Sequence, residues 1–196
     1  MASALTTELE AINLMLSVIG ESPVNSDEID GNVDAVLARQ ILHETSREVQ
    51  GIGWHWNSYK HYPLTPDSEG HITVPPTAMR IDAVDPTIDV IPVGTRLYDR
   101  RNNTDTFASA LKVDVCWLFD FETLPQAARE YINVRAARKF QDRIVGSETL
   151  NGFNREDELR ARVALENYDA NLGDYNLIRD SWDVGRIVYR NGTVRW

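Results

Sequence analysis

Apolar residues recur along this chain at helical spacing near both ends and at alternating spacing in between, and the change of period divides it. Leu9, Ile12, Leu16 and Ile19 fall three or four residues apart, behind Thr6 and Thr7 as candidate caps and ahead of Gly20 and Pro23, so the spacing predicts a first helix. Asn32 is placed to cap a second, with Val33, Leu37, Ile41 and Val49 on one side and Arg39, His43, Ser46, Arg47 and Gln50 on the other, up to Gly51 and Gly53. A third helix follows Pro125, which suits a first helical position, with Ala128, Ile132, Ala136 and Phe140 at four-residue steps and an end near Gly146. The fourth is expected to start in the acidic turn Glu156, Asp157 and Glu158, to bury Ala161, Ala164, Leu165, Tyr168 and Leu172, and to stop at Gly173.

Between the second and third helices the pattern shortens to β-prone runs broken by Pro, Gly, Asn and Asp. Residues 72–74, 88–93 and 96–99 read as strands, and 66–70 and 101–105 as turns or loop tips. The clearest strand has Leu111, Val113, Val115, Trp117 and Phe119 alternating with Lys112, Asp114, Cys116, Leu118 and Asp120, which predicts one strongly apolar face. Trp54, His55 and Trp56 stand where the helical and β parts meet. The chain therefore reads as α+β: a four-helix bundle in two halves, 1–53 and 123–173, with an inserted β-rich module at 54–122. Residues 174–196 hold Tyr175, Trp182, Tyr189, Trp196 and four arginines but have no helical period and few apolar residues, so they read as an extended C-terminal docking tail.

Composition narrows the classes. With 42% hydrophobic and 26% charged residues among 196, the chain is long enough to bury a real core. Its wholly apolar runs are only a few residues long, far below the roughly 20 that span a bilayer, and no signal-peptide pattern opens it, so no membrane partner is expected. The net charge of −10 is uneven: residues 1–53 carry nine acids and two bases, whereas 124–173 carry eight of each. A protein that grips DNA needs a basic stripe, and an acidic surface instead repels the phosphates, which suits DNA that must slide past. Such acidity also simply keeps a chain soluble.

Searching for chemistry yields little. His43, His55, His61 and His71 are spaced by twelve, six and ten, with no HExxH pair and no cysteine cluster, so neither a metal nor another cofactor is expected. Nucleotide-binding glycine loops and a GxSxG elbow are also missing from the sequence. Cys116 is the one cysteine and reads as a small strand residue. A carboxylate pair among Asp82, Asp85, Asp89, Asp99 and Asp105 leaves a carbohydrate hydrolase open as an alternative, although acids in turns are far more often caps or solvated groups. An interaction adaptor of some other complex is the other alternative.

One stretch is more specific. Ala11-Ile12-Asn13, then Ile19-Gly20-Glu21-Ser22-Pro23-Val24, Asp34-Ala35, Ala38-Arg39, Ile41-Leu42 and Gly53-Trp54 resemble the start of the tail tubular protein A family. These are the head-to-tail adaptors of short-tailed, podovirus-type bacteriophages. Tyr98-Asp99-Arg100, Asp105, Phe107, Leu124-Pro125, Ala136, Phe140, Gly146, Tyr168-Asp169, Gly173 and Tyr175-Asn176 continue the resemblance, which covers about residues 9–177.

The resemblance implies a non-enzymatic virion protein, assembled in the host bacterial cytoplasm as a homo-dodecameric ring between the phage portal protein and the tail nozzle protein (tail tubular protein B). Its lumen would pass DNA without specific binding. On that footing Trp182, Arg186, Tyr189, Arg190 and Trp196 are the expected portal-binding residues. Asp67, Glu69, Arg100, Arg101, Asn103 and Asp105, on exposed loop tips, are expected at the nozzle. Arg129, Arg135, Arg138, Lys139 and Arg143 are expected to meet acids such as Glu44 and Glu48 across the subunit boundary.

Overall fold

A computed structural model describes residues 5–26, 28–144, 146 and 148–173. Its element order is α1 (Glu8–Val18), α2 (Val33–Gly51), β1 (Ser58–Leu64), β2 (Ala78–Ala83), β3 (Val90–Val93), β4 (Arg96–Asp99), β5 (Leu111–Trp117), α3 (Gln126–Ile144) and α4 (Glu148–Leu172), with single 3-10 turns before α2 and α3. The chain is thus a mixed α+β protein with four described helices and two small sheets. α1 packs on α2 and α3, α2 on α3, and α4 on α3.

The first two helices begin where their side chains can satisfy the free backbone N–H groups of a helix start. Thr7 and Glu10 form a reciprocal capping box on α1, and the side chain of Asn32 accepts from the N–H of Asp34 and Ala35 on α2. Gly53 follows α2 with φ of 85°, a left-handed backbone that only glycine adopts freely, and the guanidinium of Arg80 lies where a Cβ would project.

β5 is the centre of a three-stranded antiparallel sheet in the order β1-β5-β2, and β3 and β4 form a separate hairpin closed by Gly94 and Thr95. The pairing Ser58 with Cys116 and Tyr59 with Val115 slips before Tyr62 meets Val113. His61 takes up the slip with φ of 57°, and its N–H donates to the Asp114 carboxylate at 2.9 Å. Bulged and carrying Pro63, β1 reads poorly as a strand from sequence alone, and neither β1 nor β2 was expected. Residues 72–74 run alongside β4, joined to it by one isolated bridge between Thr73 and Arg96 and not by a full ladder.

Two separate apolar clusters result. One gathers the helices around Ile12, Met15, Leu16, Ile41, Leu42, Ile132 and Phe140, with Trp54, Phe121 and Leu124 closing one end. The other lies among the strands, around Ile72, Leu97, Val113 and Val115. Between them sits a seam of buried amides. Gln50 is fully buried; its Nε2 donates to Ser46 Oγ and the Phe119 carbonyl, both at 2.9 Å, and its Oε1 accepts from the Phe119 N–H at 2.8 Å. Asn57, also fully buried, donates through Nδ2 to the carbonyls of Gln50 and Trp117, and its Oδ1 accepts from the Trp54 N–H.

Three expectations about the helices need correction. On α2, Ser46 and Gln50 are buried and Val33 is 82% exposed, because the buried stripe runs through Ala38, Ile41, Leu42, Thr45 and Val49 and the seam draws in the polar pair. α4 begins at Glu148, ahead of the acidic turn. Of the residues expected to be buried on α4, Leu165 is fully buried and Ala161 partly, while Ala164, Tyr168 and Leu172 are exposed, since among the described elements α4 packs chiefly on α3.

The seam generates a test. Gln50→Leu keeps the volume but leaves the Phe119 N–H and carbonyl unpaired in the interior, so stability should fall by about 3 kcal/mol and the melting temperature by about 6–12 °C. Thermal unfolding followed by circular dichroism measures it; a fall below about 1 kcal/mol would show that the seam does not hold the two clusters together.

Candidate interaction surfaces

The loop residues expected at a partner surface are held in two clusters, organised by His71 and by Asp99, neither of which was among the residues expected there. The first centres on His71. Its Nδ1 lies 3.6 Å from Glu69 and 3.9 Å from Asp67, its Nε2 lies 3.4 Å from Asp105, and Arg96 stands 3.8 Å from Asp105. The turn before it forms because Asp67 accepts from the N–H groups of Glu69 and His71, at 2.9 and 2.8 Å. Those hydrogen bonds, the one from the His71 N–H foremost, hold the Asp67 carboxyl below its ordinary value. The Phe107 N–H then donates to the Gly70 carbonyl at 2.8 Å and fastens the 66–70 turn to the 101–107 loop.

The second cluster centres on Asp99 at the end of β4. Only 2% exposed, it accepts from the N–H groups of Asp89, Arg101 and Asn102 at 3.2, 2.9 and 3.3 Å and from Asn102 Nδ2 at 2.6 Å. Burial pushes its carboxyl up, but the Asn102 side chain and the three backbone donors outweigh burial and hold it below its ordinary value. Arg100 reaches across to Asp89 at 2.8 Å, Arg101 donates to the Pro86 carbonyl, and Asn103 turns the chain with φ of 52°. A strand that ends in Asp before a polar turn was the available signal for Asp99. Nothing in the linear pattern marks His71, because Asp105 comes to it from 34 positions away.

The basic residues of α3 all have partners within the chain. Arg129 is 3% exposed and donates to the carbonyls of Leu124 and Thr6, both at 2.8 Å, and to that of Glu122. It clamps the start of α3 to the chain on either side. Arg143 pairs with Glu44 at 3.0 Å, Lys139 with Glu48 at 2.7 Å, Arg135 with Glu48 at 3.2 Å, and Arg138 with Glu158 and, at 3.2 Å, Asp142. The complementarity of acid and base is present, but within one chain. The Lys139 ammonium, by its hydrogen bond foremost, holds the Glu48 carboxyl below its ordinary value. Trp182, Arg186, Tyr189, Arg190 and Trp196 lie outside the described residues.

These surfaces suit recognition better than chemistry. Among the described residues no group of three or more His, Cys, Asp and Glu is arranged to hold a metal ion. Burial pushes the Cys116 thiol up, against nucleophilic use. Asp85, held by the hydroxyl and N–H of Thr87, is shifted down like Asp99, the direction opposite to that needed by a general acid. No helix among the described residues is long and apolar enough to cross a membrane.

Comparison with known proteins agrees with a structural part. The family model described as Tail tubular protein matches residues 9–175, from the second residue of α1 past the end of α4. The Tail tubular protein A of Klebsiella phage KP34 is 30% identical over 163 residues, which cover 82% of this chain and 86% of that protein.

Asp99→Ala should release the 100–104 loop: amide hydrogen exchange at Asp89, Arg101 and Asn102 is expected to speed up by about tenfold or more. Because the folded carboxyl titrates below its ordinary 3.8, its contribution to stability is complete above 3.8 and is lost as pH falls through the lower folded value. The variant should lack that part of the acid dependence, and unchanged exchange would refute the role given to Asp99.

Proposed function

The chain belongs to the tail tubular protein family, structural components of phage tails, and on that premise we propose that it is the head-to-tail adaptor of a short-tailed bacteriophage. The match over residues 9–175 carries the reading, because it takes in the helices and the β region together and not one fragment. In this reading 1–53 and 123–173 act as one helical-bundle body, 54–122 is a β-rich module inserted into it, and 174–196 is a docking tail. Twelve copies form a ring between the portal protein and the nozzle protein. The family is a structural one and no catalytic step is assigned to the chain.

Mechanism here is assembly. A subunit in a closed ring offers one surface to its left neighbour and a different one to its right. The portal is met by the tail through Trp182, Arg186, Tyr189, Arg190 and Trp196, residue types that dominate binding hot spots. The nozzle is met by the loops organised around His71 and Asp99. The net charge of −10 supports a lumen that conducts DNA without holding it. The protein is then a component of the virion, assembled in the host cytoplasm.

Mixing the purified chain with its cognate portal ring, and reading mass and symmetry by native mass spectrometry and electron microscopy, tests the proposal. A closed ring added beneath the portal is expected, and removal of 178–196 should abolish its attachment. A chain that stays alone beside a verified cognate portal would overturn the adaptor reading, and attachment that survives the truncation would overturn the role of the tail.

A further inference from the structure

The end of α4 is tied to a part of the chain 114 positions earlier. The Asp169 carboxylate accepts from the His55 N–H at 2.7 Å, and its second oxygen lies 2.9 Å from His55 Nδ1, so backbone and ring of one residue meet both oxygens of the other. The Asp169 side chain is 14% exposed and continues, at four-residue steps, the stripe of Ala161 and Leu165 that packs on the helical cluster. A carboxylate thus occupies the position where that stripe would call for an apolar residue.

The tie stands where apolar packing gives out. Leu165 is fully buried, but from 166 to 172 every residue except Asp169 is exposed. Among the described residues, no other hydrogen bond or ion pair joins 166–173 to another element. The other partner is firmly rooted. His55 lies inside a turn in which the Asn57 N–H donates to the Trp54 carbonyl at 3.2 Å and the Trp54 N–H donates to Asn57 Oδ1 at 2.8 Å. Asn57 belongs to the buried amide seam, so the end of α4 is referenced to the same seam that sets the start of β1.

Gly173 follows Asp169 by four residues, about 6 Å along a helix, and its N–H donates to the Asp169 carbonyl at 3.1 Å. We propose that Asp169 is a positioning residue for portal docking: by holding the last turns of α4 on His55, it fixes the point from which the chain continues into 174–196. A docking segment presented from a fixed point loses less freedom on binding than one carried by a helix end that pivots beyond Leu165. The inference rests on the assignment of 174–196 to the portal given above.

The test uses the full chain and its cognate portal ring. In Asp169→Ala the His55 N–H should exchange about tenfold faster or more, and attachment to the portal should weaken by about tenfold, with the helical circular dichroism retained. Asp169→Asn should attach as wild type does, because its amide can accept from the His55 N–H and donate to Nδ1. A short flexible insertion after Gly173 should weaken attachment by itself, and Asp169→Ala should then add little to it, whereas a substitution that merely loosened the fold would add in full. If Asp169→Ala speeds exchange at His55 yet attaches as wild type does, if Asp169→Asn attaches no better than Asp169→Ala, or if the insertion leaves attachment unchanged, the positioning role is wrong while the portal role of the tail stands. Should Asp169→Ala fail to fold, the insertion variant, which keeps the tie, decides alone. If removal of 178–196 leaves attachment intact, the assignment of the tail to the portal fails and this inference with it.

Discussion

Two buried amide side chains, Gln50 and Asn57, hold the helical and strand clusters in one structure. An amide can donate and accept at once, so each joins several backbone groups that no regular element satisfies: the Phe119 N–H and carbonyl beyond β5, the Gln50 and Trp117 carbonyls, and the Trp54 N–H after α2. Burying these groups unpaired would be strongly unfavourable, and an apolar seam would satisfy none of them. The seam therefore fixes more than a contact. It sets the direction in which the chain leaves α2 for β1 and the direction in which it returns from β5 towards α3. Trp54, whose Nε1 donates to the Val49 carbonyl at 2.7 Å, and the thiol of Cys116, near the Gln50 carbonyl at 3.4 Å, fill the space around it.

That constraint explains which parts of the fold were legible in sequence. The starts of α1 and α2 were, because Thr7 and Asn32 act locally, and the β3–β4 turn and the alternation of β5 are also local features, whereas α4 starts at Glu148 and not in the acidic turn. The faces of α2 were not. Gln50, with Ser46 hydrogen-bonded to it one turn back, looks like a surface residue until Phe119 arrives from 69 positions away, and Val33 looks like core until the cap at Asn32 turns it outwards. β1 was hidden for a related reason: its ladder contains a bulge at His61 that breaks the period of two, and the Asp114 carboxylate that supports the bulge comes from another strand.

Charge shows the same difference between composition and arrangement. A basic α3 and an acidic N-terminal segment invite pairing, and the pairing occurs, but α2 and α3 lie side by side, so Glu44 and Glu48 meet Arg143, Lys139 and Arg135 of their own chain. Sequence can state that two helices are complementary without saying whether they belong to one molecule or two. Arg129 goes further, since a basic residue one turn into a helix was read as surface, whereas its guanidinium reaches three backbone carbonyls and closes the α1–α3 corner. The loop sites divide similarly. Asp67, Glu69 and Asp105 were found by exposure in turns, and His71, which gathers them, was not expected at that surface; nor was Asp99, which holds the 100–104 loop.

What α3 spends within the chain also bears on assembly. Its cations are taken up by acids from α2 on one side and α4 on the other, so they have little left to direct a neighbour. α4 packs mainly on α3, and apolar positions stay exposed on both α1 and α4: Leu14 and Val18 on α1, Leu159 and Val163 on α4. A subunit with its polar pairs closed internally and its unfilled apolar surface split between two flanks has a driving force for association that salt screens weakly and that one partner alone cannot satisfy. In the ring proposed above each copy would meet two neighbours through one contact used twice, so modest complementarity at each boundary would be reinforced by closure.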